Sequence, residues 1–297
     1  MPRWRLGVAL LLEDPLSTEV NGLRRALGDG SLERIAPHIT LVPPVNVRED
    51  QVGNALAVLR GAARKIEPFD VALGPVASFL PDTPTVILPL AGDGADAVAD
   101  IRAAVFVPPL ERTLTWPFVP HVTIADEADD ERIAAATQAL DAYNVVARFE
   151  RVHLLRETEG RQWTPIADVP FGEPLVVGRG GLPIELLVTK IVDPEAAALL
   201  PDADAPSSDL VVAARRDDSV KGVVVGHGDG STLNLFTMVV SPEARGEGVG
   251  SALLKTFLVE GARAGFQKVR LTGPALACPV KRSFFADLGF LHGIRDL

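Results

Sequence analysis

The sequence predicts an α+β protein of two domains, and three observations carry that prediction. At 297 residues the chain exceeds what one hydrophobic core usually organises. Short β-branched runs alternate with stretches of helical apolar spacing along its whole length. A glycine-rich interruption from Glu173 to Pro183, with Gly178, Gly180 and Gly181, separates two such series. The expected division is a first domain over 1–174, a linker over 175–182 and a second domain over 183–297.

In the first domain, Arg5–Leu12 reads as a buried strand rather than a leader, because its apolar run is short and ends at Glu13-Asp14. Asp14-Pro15 opens a helix to about Leu27, stopped by Gly28-Asp29-Gly30. A strand at His38 follows, closed by Pro43-Pro44, and then a helix with Val52, Leu56, Leu59 and Ala63 on one face. Phe69–Val76 and Thr83–Leu90 read as strands, Ala95–Phe106 as a helix and His121–Ile124 as a strand. A helix over Asp129–Tyr143, a single strand over Val145–Leu155 and an edge strand over Arg161–Ile166 complete the domain. The acidic run Asp126–Glu131 lacks the glycine and terminal glutamate of a Ca²⁺ loop and reads as a solvated helix start.

Charge and composition exclude several classes. Residues 1–174 carry 16 Lys and Arg against 25 Asp and Glu, net −9, and the remainder is net −1. An extended nucleic-acid surface would need the opposite sign, although a local pocket for a nucleotide or an RNA end remains open. One cysteine, Cys278, rules out an internal disulfide or a Cys-rich zinc site and fits a reducing cytoplasm; it reads as a packing residue. No run has the length of a membrane span.

Chemistry enters through a repeated pentapeptide. Pro37-His38-Ile39-Thr40-Leu41 returns as Pro120-His121-Val122-Thr123-Ile124. Side chains alternate along a strand, so each copy shows an imidazole and a hydroxyl to one face and aliphatics to the other. With 5 His in the chain and Thr at ordinary abundance, two such copies by accident are rare enough to treat the pair as a signal. Each copy also ends a strand–helix–strand unit: 32 residues separate Leu6 from His38, and 36 separate Thr85 from His121. Two imidazoles and two hydroxyls around one pocket suit metal-free acid–base chemistry on a phosphodiester. His153 lacks a threonine two residues on and reads as an ordinary strand residue.

These motifs, their separation and the order of elements around them resemble the 2H phosphoesterase superfamily, in its 2′,5′ RNA ligase and cyclic-phosphodiesterase branch. The resemblance implies a bilobal, pseudo-twofold fold with a metal-independent site in its groove. It also implies that one of His38 and His121 acts as base and the other as acid, with Thr40 and Thr123 holding phosphoryl oxygens. Either histidine can take either part. The implied reaction is hydrolysis, or reversible ligation, of a 2′,3′-cyclic or 2′,5′ phosphodiester of a nucleotide or RNA end.

The second domain reads as a strand Ile184–Lys190, a short helix Asp193–Leu200, a loop Asp202–Ser208 and strands Leu210–Arg215, Gly222–His227 and Leu233–Val240. Gly228-Asp229-Gly230 is a hairpin turn. A helix Ser251–Ala264, a strand Lys268–Thr272 and a helix near Lys281–Leu288 follow. Between the Leu233–Val240 strand and its helix lies Arg245-Gly246-Glu247-Gly248-Val249-Gly250, where backbone N–H groups can converge on an anion at a helix N-terminus. This pattern resembles the GNAT acetyltransferase family, a mixed central sheet flanked by helices. The resemblance implies that Val239, Val240 and residues Arg245, Gly246, Glu247, Gly248, Val249, Gly250 and Ser251 hold acetyl-CoA, with an unspecified amine as acceptor. The position of the family's acidic tyrosine corresponds to Phe285 here, and no carboxylate on Leu233–Val240 offers a base.

The expectation is therefore a two-domain enzyme. Its competitors are a GNAT half that binds coenzyme A as a regulatory module without chemistry, and a first domain that binds RNA without turnover.

Overall fold

The first strand, β1 (Arg3–Leu11), has an uninterrupted buried run from Leu6 to Leu10, which places it inside a sheet rather than at its rim. It belongs to a computed structural model that describes residues 2–92, 94–200, 208–216, 219–272, 284–287, 289–290 and 293–297. The chain divides into two units, Met1–Glu173 and Pro174–Leu297.

In the first unit β1 leads through α1 (Leu16–Ala26) to β2 (His38–Arg48), and α2 (Val52–Ala63) leads to β3 (Phe69–Leu73) and the short β4 (Ala77–Ser78). The unit repeats with β5 (Val86–Ala91), α3 (Gly94–Val105), β6 (His121–Ala125), α4 (Asp130–Ala139) and β7 (Val145–Phe149), then closes with β8 (Arg151–Glu157) and β9 (Trp163–Pro170). Its strands run in the order β9-β8-β1-β2-β6-β5-β3-β7, with β4 beside β5 and every neighbour antiparallel. The two strand–helix–strand repeats thus lie back to back: β1 and β2 mirror β5 and β6 across the β2–β6 seam. The ladder at that seam is a single register pair, Ile39 with Val122. Two strands cross over. β3, from the first repeat, pairs with β5 of the second, and β8, which follows the second repeat, returns to pair with β1.

Three expectations are corrected here. β2 does not close at Pro43-Pro44 but continues to Arg48 along β1. Proline cannot donate to a ladder. The pair falls at the register shift between Leu6↔Val45 and Val8↔Val42, opposite Gly7, where no N–H is required. The strand expected over Val145–Leu155 breaks at Glu150, because β7 pairs with β3 in one lobe and β8 with β1 and β9 in the other. The helix expected to reach Tyr143 ends at Ala139. Its start is as expected: the Asp129 carboxylate accepts from the Arg132 N–H at 2.8 Å, capping the helix.

The second unit contains β10 (Leu175–Val177), β11 (Leu182–Thr189), α5 (Pro194–Leu199), β12 (Leu210–Arg216), β13 (Ser219–Asp229), β14 (Thr232–Val240), α6 (Val249–Arg263), β15 (Lys268–Leu271) and β16 (Ile294–Asp296). They order as β10 to β16 in sequence, with β14 and β15 parallel and the other pairs antiparallel. This is the mixed sheet that was expected. Alternation sends Val212, Ala214, Val224, Leu233 and Leu235 to the face covered by α6, and Val211, Val223 and Val225 to the face covered by α5.

The stretch read as a linker, 175–182, is instead a β-hairpin. Leu175 pairs with Ile184 and Val177 with Leu182, around a turn in which Gly178 and Gly181 take φ of 70° and 67°. The Leu175-Val176-Val177 run before those glycines and Leu182 and Ile184 after them supply the strand propensity. Cys278 and most of the loop at 202–208 lie outside the described residues, as do 281–283 and 288 of the last expected helix.

Candidate active site and coenzyme cleft

The β2–β6 register decides the geometry of the first site. With Ile39 opposite Val122 in an antiparallel pair, His38 falls opposite Thr123 and Thr40 opposite His121. Ile39, Leu41, Val122 and Ile124 are buried beneath, while the four polar side chains are half-buried on the open face. The repeated motif therefore forms one four-cornered cluster on adjacent strands, rather than two walls facing across a gap.

Each imidazole is oriented from behind. His38 Nδ1 lies 2.8 Å from the Ala36 carbonyl and His121 Nδ1 lies 2.7 Å from the Val119 carbonyl. A carbonyl only accepts, so both Nδ1 atoms carry the proton and each neutral ring keeps its lone pair on Nε2. His38 Nε2 lies 3.1 Å from Thr40 Oγ1, whose hydroxyl donates to it. The Phe79 ring meets His121 edge-on, with centroids 4.8 Å apart. Burial pushes the His38 imidazole down to about 4, helped by the positive charge of Arg24 and the nearby His121. Burial lowers His121 as well. Both rings rest neutral near pH 7.

A cleft shared by Thr40 and His121, also lined by Arg102 and Trp116, joins two pockets along this face. On the His38 side lies a pocket of about 280 Å³ with Arg5, Arg34, Arg161 and Trp163. On the His121 side lies one of about 490 Å³ with Phe79, Trp116, Asp82 and Asp126. Sequence reasoning did not find these lining residues, because nothing local marks them and the fold alone gathers them from distant segments. Arg24 was missed too. It is 2 % exposed, and it donates from Nε to Asp29 at 2.8 Å, from Nη2 to Ser31 at 2.9 Å and from Nη1 to the Ile35 carbonyl at 2.8 Å. It thereby pins the loop that delivers His38. His153 sits buried in β8 with Nδ1 3.3 Å from the Ala9 carbonyl, the strand residue expected of it. Among the described residues no group of three or more His, Cys, Asp or Glu could hold a metal ion.

Residues 12–161, just over half the chain, match the family model described as the 2′-5′ RNA ligase superfamily. The chain belongs to that superfamily. Among its relatives are inferred phosphoesterases of Oceanobacillus iheyensis, 25% identical over 162 residues (54% of this chain, 94% of the relative), and of Bacillus cytotoxicus, 27% identical over 162 residues (54% and 92%). The Escherichia coli LigT structure complexed with 3′-AMP is 14% identical, covers 57% of this chain and 99% of its own, and has a TM-score of 0.40. The superfamily domain is followed by a second one, since residues 206–291 match the acetyltransferase (GNAT) domain. A GNAT-family acetyltransferase of Streptococcus pneumoniae is 25% identical, covering 36% of this chain and 87% of its own with a TM-score of 0.31.

In the GNAT unit, Val240, Arg245, Gly246, Gly248, Gly250 and Ser251 line one cleft, together with Met238 and Phe284. Val239 is not among its lining residues, Val249 is buried in the core and Glu247 lines a separate pocket beside Gly180. Gly246 and Gly248 take φ of 81° and 83°, and Gly248 is the N-cap of α6, a left-handed turn at a helix N-terminus of the kind whose backbone N–H groups can converge on an anion. Gly248 packs directly on Gly178 of the β10–β11 turn, and a Cβ on Gly178 would collide with the Glu247 carbonyl. A cradle of amides with an apolar wall of Met238, Val240 and Phe284 fits the diphosphate and pantetheine of coenzyme A. Phe285 does not reach this cleft: it is 1% exposed in the core against Phe284 and Phe290. Among the described residues no helix is long and apolar enough to cross a membrane.

Proposed function

We propose that the first unit hydrolyses a 2′,3′-cyclic or 2′,5′ phosphodiester of a nucleotide or RNA end without a metal, and that the second unit transfers an acetyl group from acetyl-CoA to an amine. The observation that carries the first part is the paired register, which sets each histidine against the other motif's threonine.

His38, the more strongly depressed of the two, is the base. Its Nε2 lone pair takes a proton from water as the water oxygen attacks phosphorus. The bond from phosphorus to the leaving oxygen breaks, and that oxygen receives the proton held on His121 Nε2. The anionic diester favours the protonated form of His121 once bound, offsetting the burial that lowers it in the free protein. Thr40 and Thr123 donate to the non-bridging oxygens. When Thr40 turns to the phosphoryl group it releases His38 Nε2 for the proton transfer.

In the second unit the amides of 246–251 would hold the coenzyme diphosphate, and Met238, Val240 and Phe284 its pantetheine arm. Acetyl-CoA bound there supplies a thioester acyl group. Neither Phe284 nor Phe285 can donate a proton to a leaving thiolate, which favours a second reading, a coenzyme-A-sensing module without transfer. Incubation with acetyl-CoA and a panel of amines decides between them: acetylated product supports the enzyme, and binding without product supports the sensor.

The first site is tested by leaving-group chemistry. His121→Ala should lose 2′,3′-cyclic nucleotide hydrolysis by on the order of 10²–10⁴, yet retain far more activity on bis(p-nitrophenyl) phosphate, whose leaving group needs no proton. His38→Ala should lose both. Equal losses in the two variants would remove the assignment, and the exchanged pattern, with His38→Ala spared on bis(p-nitrophenyl) phosphate, would reverse it.

A further inference from the structure

The two pockets that flank the paired motifs differ in charge. The His38 pocket is lined by three guanidinium groups, Arg5, Arg34 and Arg161, and by one carboxylate, Glu157. Arg5 Nε is held by Glu157 at 3.1 Å, which leaves the charges of Arg34 and Arg161 as the pocket's excess. Arg34 is half-buried, and its carbonyl accepts from the Trp163 N–H at 2.7 Å, so the guanidinium-bearing loop and the Trp163 wall are tied together. The His121 pocket holds no cation among its lining residues. Its charged groups are Asp82 and Asp126, and its walls include the rings of Phe79 and Trp116. Asp126 is fixed there by the Thr85 hydroxyl at 2.9 Å.

On a domain of net −9, two arginines gathered beside the reacting centre form a local anion site, and two carboxylates on the opposite flank repel one. From this polarity we infer that the substrate carries a second phosphate besides the scissile diester, seated at Arg34 and Arg161, while its uncharged nucleoside lies against Phe79 and Trp116. This inference rests on the phosphodiesterase reading above and adds the class of substrate. Guanidinium groups bind phosphate through paired charge-assisted hydrogen bonds, so the second phosphate contributes both affinity and direction along the groove.

The test compares adenosine 2′,3′-cyclic phosphate with the same nucleotide bearing a 5′-phosphate, in the full chain and in Arg34→Gln and Arg161→Gln. The 5′-phosphate should raise kcat/KM by on the order of 10–100-fold, and each substitution should shrink that ratio several-fold. The ratio should also fall as salt is raised from 0.05 to 0.5 M. A ratio near one in the unaltered chain overturns the inference, and so does a large ratio that neither substitution changes. A parallel calorimetric titration with adenosine 2′-phosphate and adenosine 2′,5′-bisphosphate requires no turnover. If no cyclic phosphate is hydrolysed, the functional reading fails, and the preference between these two ligands still decides whether the anion site exists.

Discussion

Removing Arg24 tests the architecture behind the active site. Arg24 and Asp29 form a pair whose side chains are 2% and 0% exposed. Burial alone would raise the Asp29 pKa, but the hydrogen bonds from Ser31 and Arg24 outweigh it and hold the carboxyl below its usual 3.8. Arg24→Met deletes the counter-charge and leaves the carboxylate buried, a change that costs about 3–5 kcal/mol. The Ile35 carbonyl loses its donor as well, which adds about 1 kcal/mol. Such a loss is a large share of the ~5–15 kcal/mol that holds a typical domain. Asp29→Asn in the same chain removes the orphaned charge and should recover at least half of it. Trp4, Trp116 and Trp163 all lie in the first unit, so tryptophan fluorescence in a urea titration follows that unit alone. Because the folded pKa of Asp29 is depressed, the pair's contribution is present above about 3.8 and is lost as pH falls through the lower folded value. In Arg24→Met, burial without the guanidinium pushes the Asp29 carboxyl up instead, so the gap to wild type should be widest near pH 8 and narrow as pH falls toward 5 and the carboxyl takes up a proton. A loss below about 1 kcal/mol, or a double variant no better than the single, would refute the reasoning.

Other outcomes follow from the same geometry. Burial pushes the His153 imidazole down to about 4, so the unfolded chain binds more protons between that value and 6.5. His153 should account for about 3 kcal/mol of the stability lost as pH drops across that window, with His38 adding to the same acid limb, and His153→Gln should remove its share and leave the remainder in urea titrations at pH 7.5, 5.5 and 4.5. Gly248→Ala forces an L side chain to φ of 83° and sets its Cβ 3.1 Å from the Gly178 nitrogen. It should weaken coenzyme A binding by roughly tenfold or more and cost about 1–2 kcal/mol of stability, as read by calorimetric titration and thermal unfolding. Chelation should leave cyclic-phosphate hydrolysis unaltered, and a loss restored by added Mg²⁺ or Zn²⁺ would contradict the proposed chemistry.

The parts of this molecule visible in its sequence were those encoded by spacing. The paired motif gave both its strands and its exposed face, because Ile39, Leu41, Val122 and Ile124 alternate with the polar residues. What local patterns did not reveal was partner choice. Pro43-Pro44 looked like a strand end because no single segment shows that Gly7 lies opposite, in a gap of the ladder. The break at Glu150 was more accessible. Val145–Phe149 alternates between inward and outward side chains, whereas Val152–Leu155 is buried without interruption, and that change of period marks two strands in different surroundings. Glycines at 178–181 suggested a linker, yet the Leu-Val-Val run before them carried the contrary signal of a hairpin. The arginines and aromatic rings around the histidines come from six separate segments, and only tertiary structure assembles them.

The crossing of β3 and β8 between the two lobes bears on how this domain can be cut. A break in the loop between β4 and β5 yields an N-terminal piece that holds β3 but lacks β8, so β1 is left with an open edge. The C-terminal piece holds β8 but lacks β3, so β5 is exposed in turn. Each fragment carries the strand that the other is missing. Neither should form a sound sheet alone, and the two together should reassemble as complementary halves, with one histidine delivered by each.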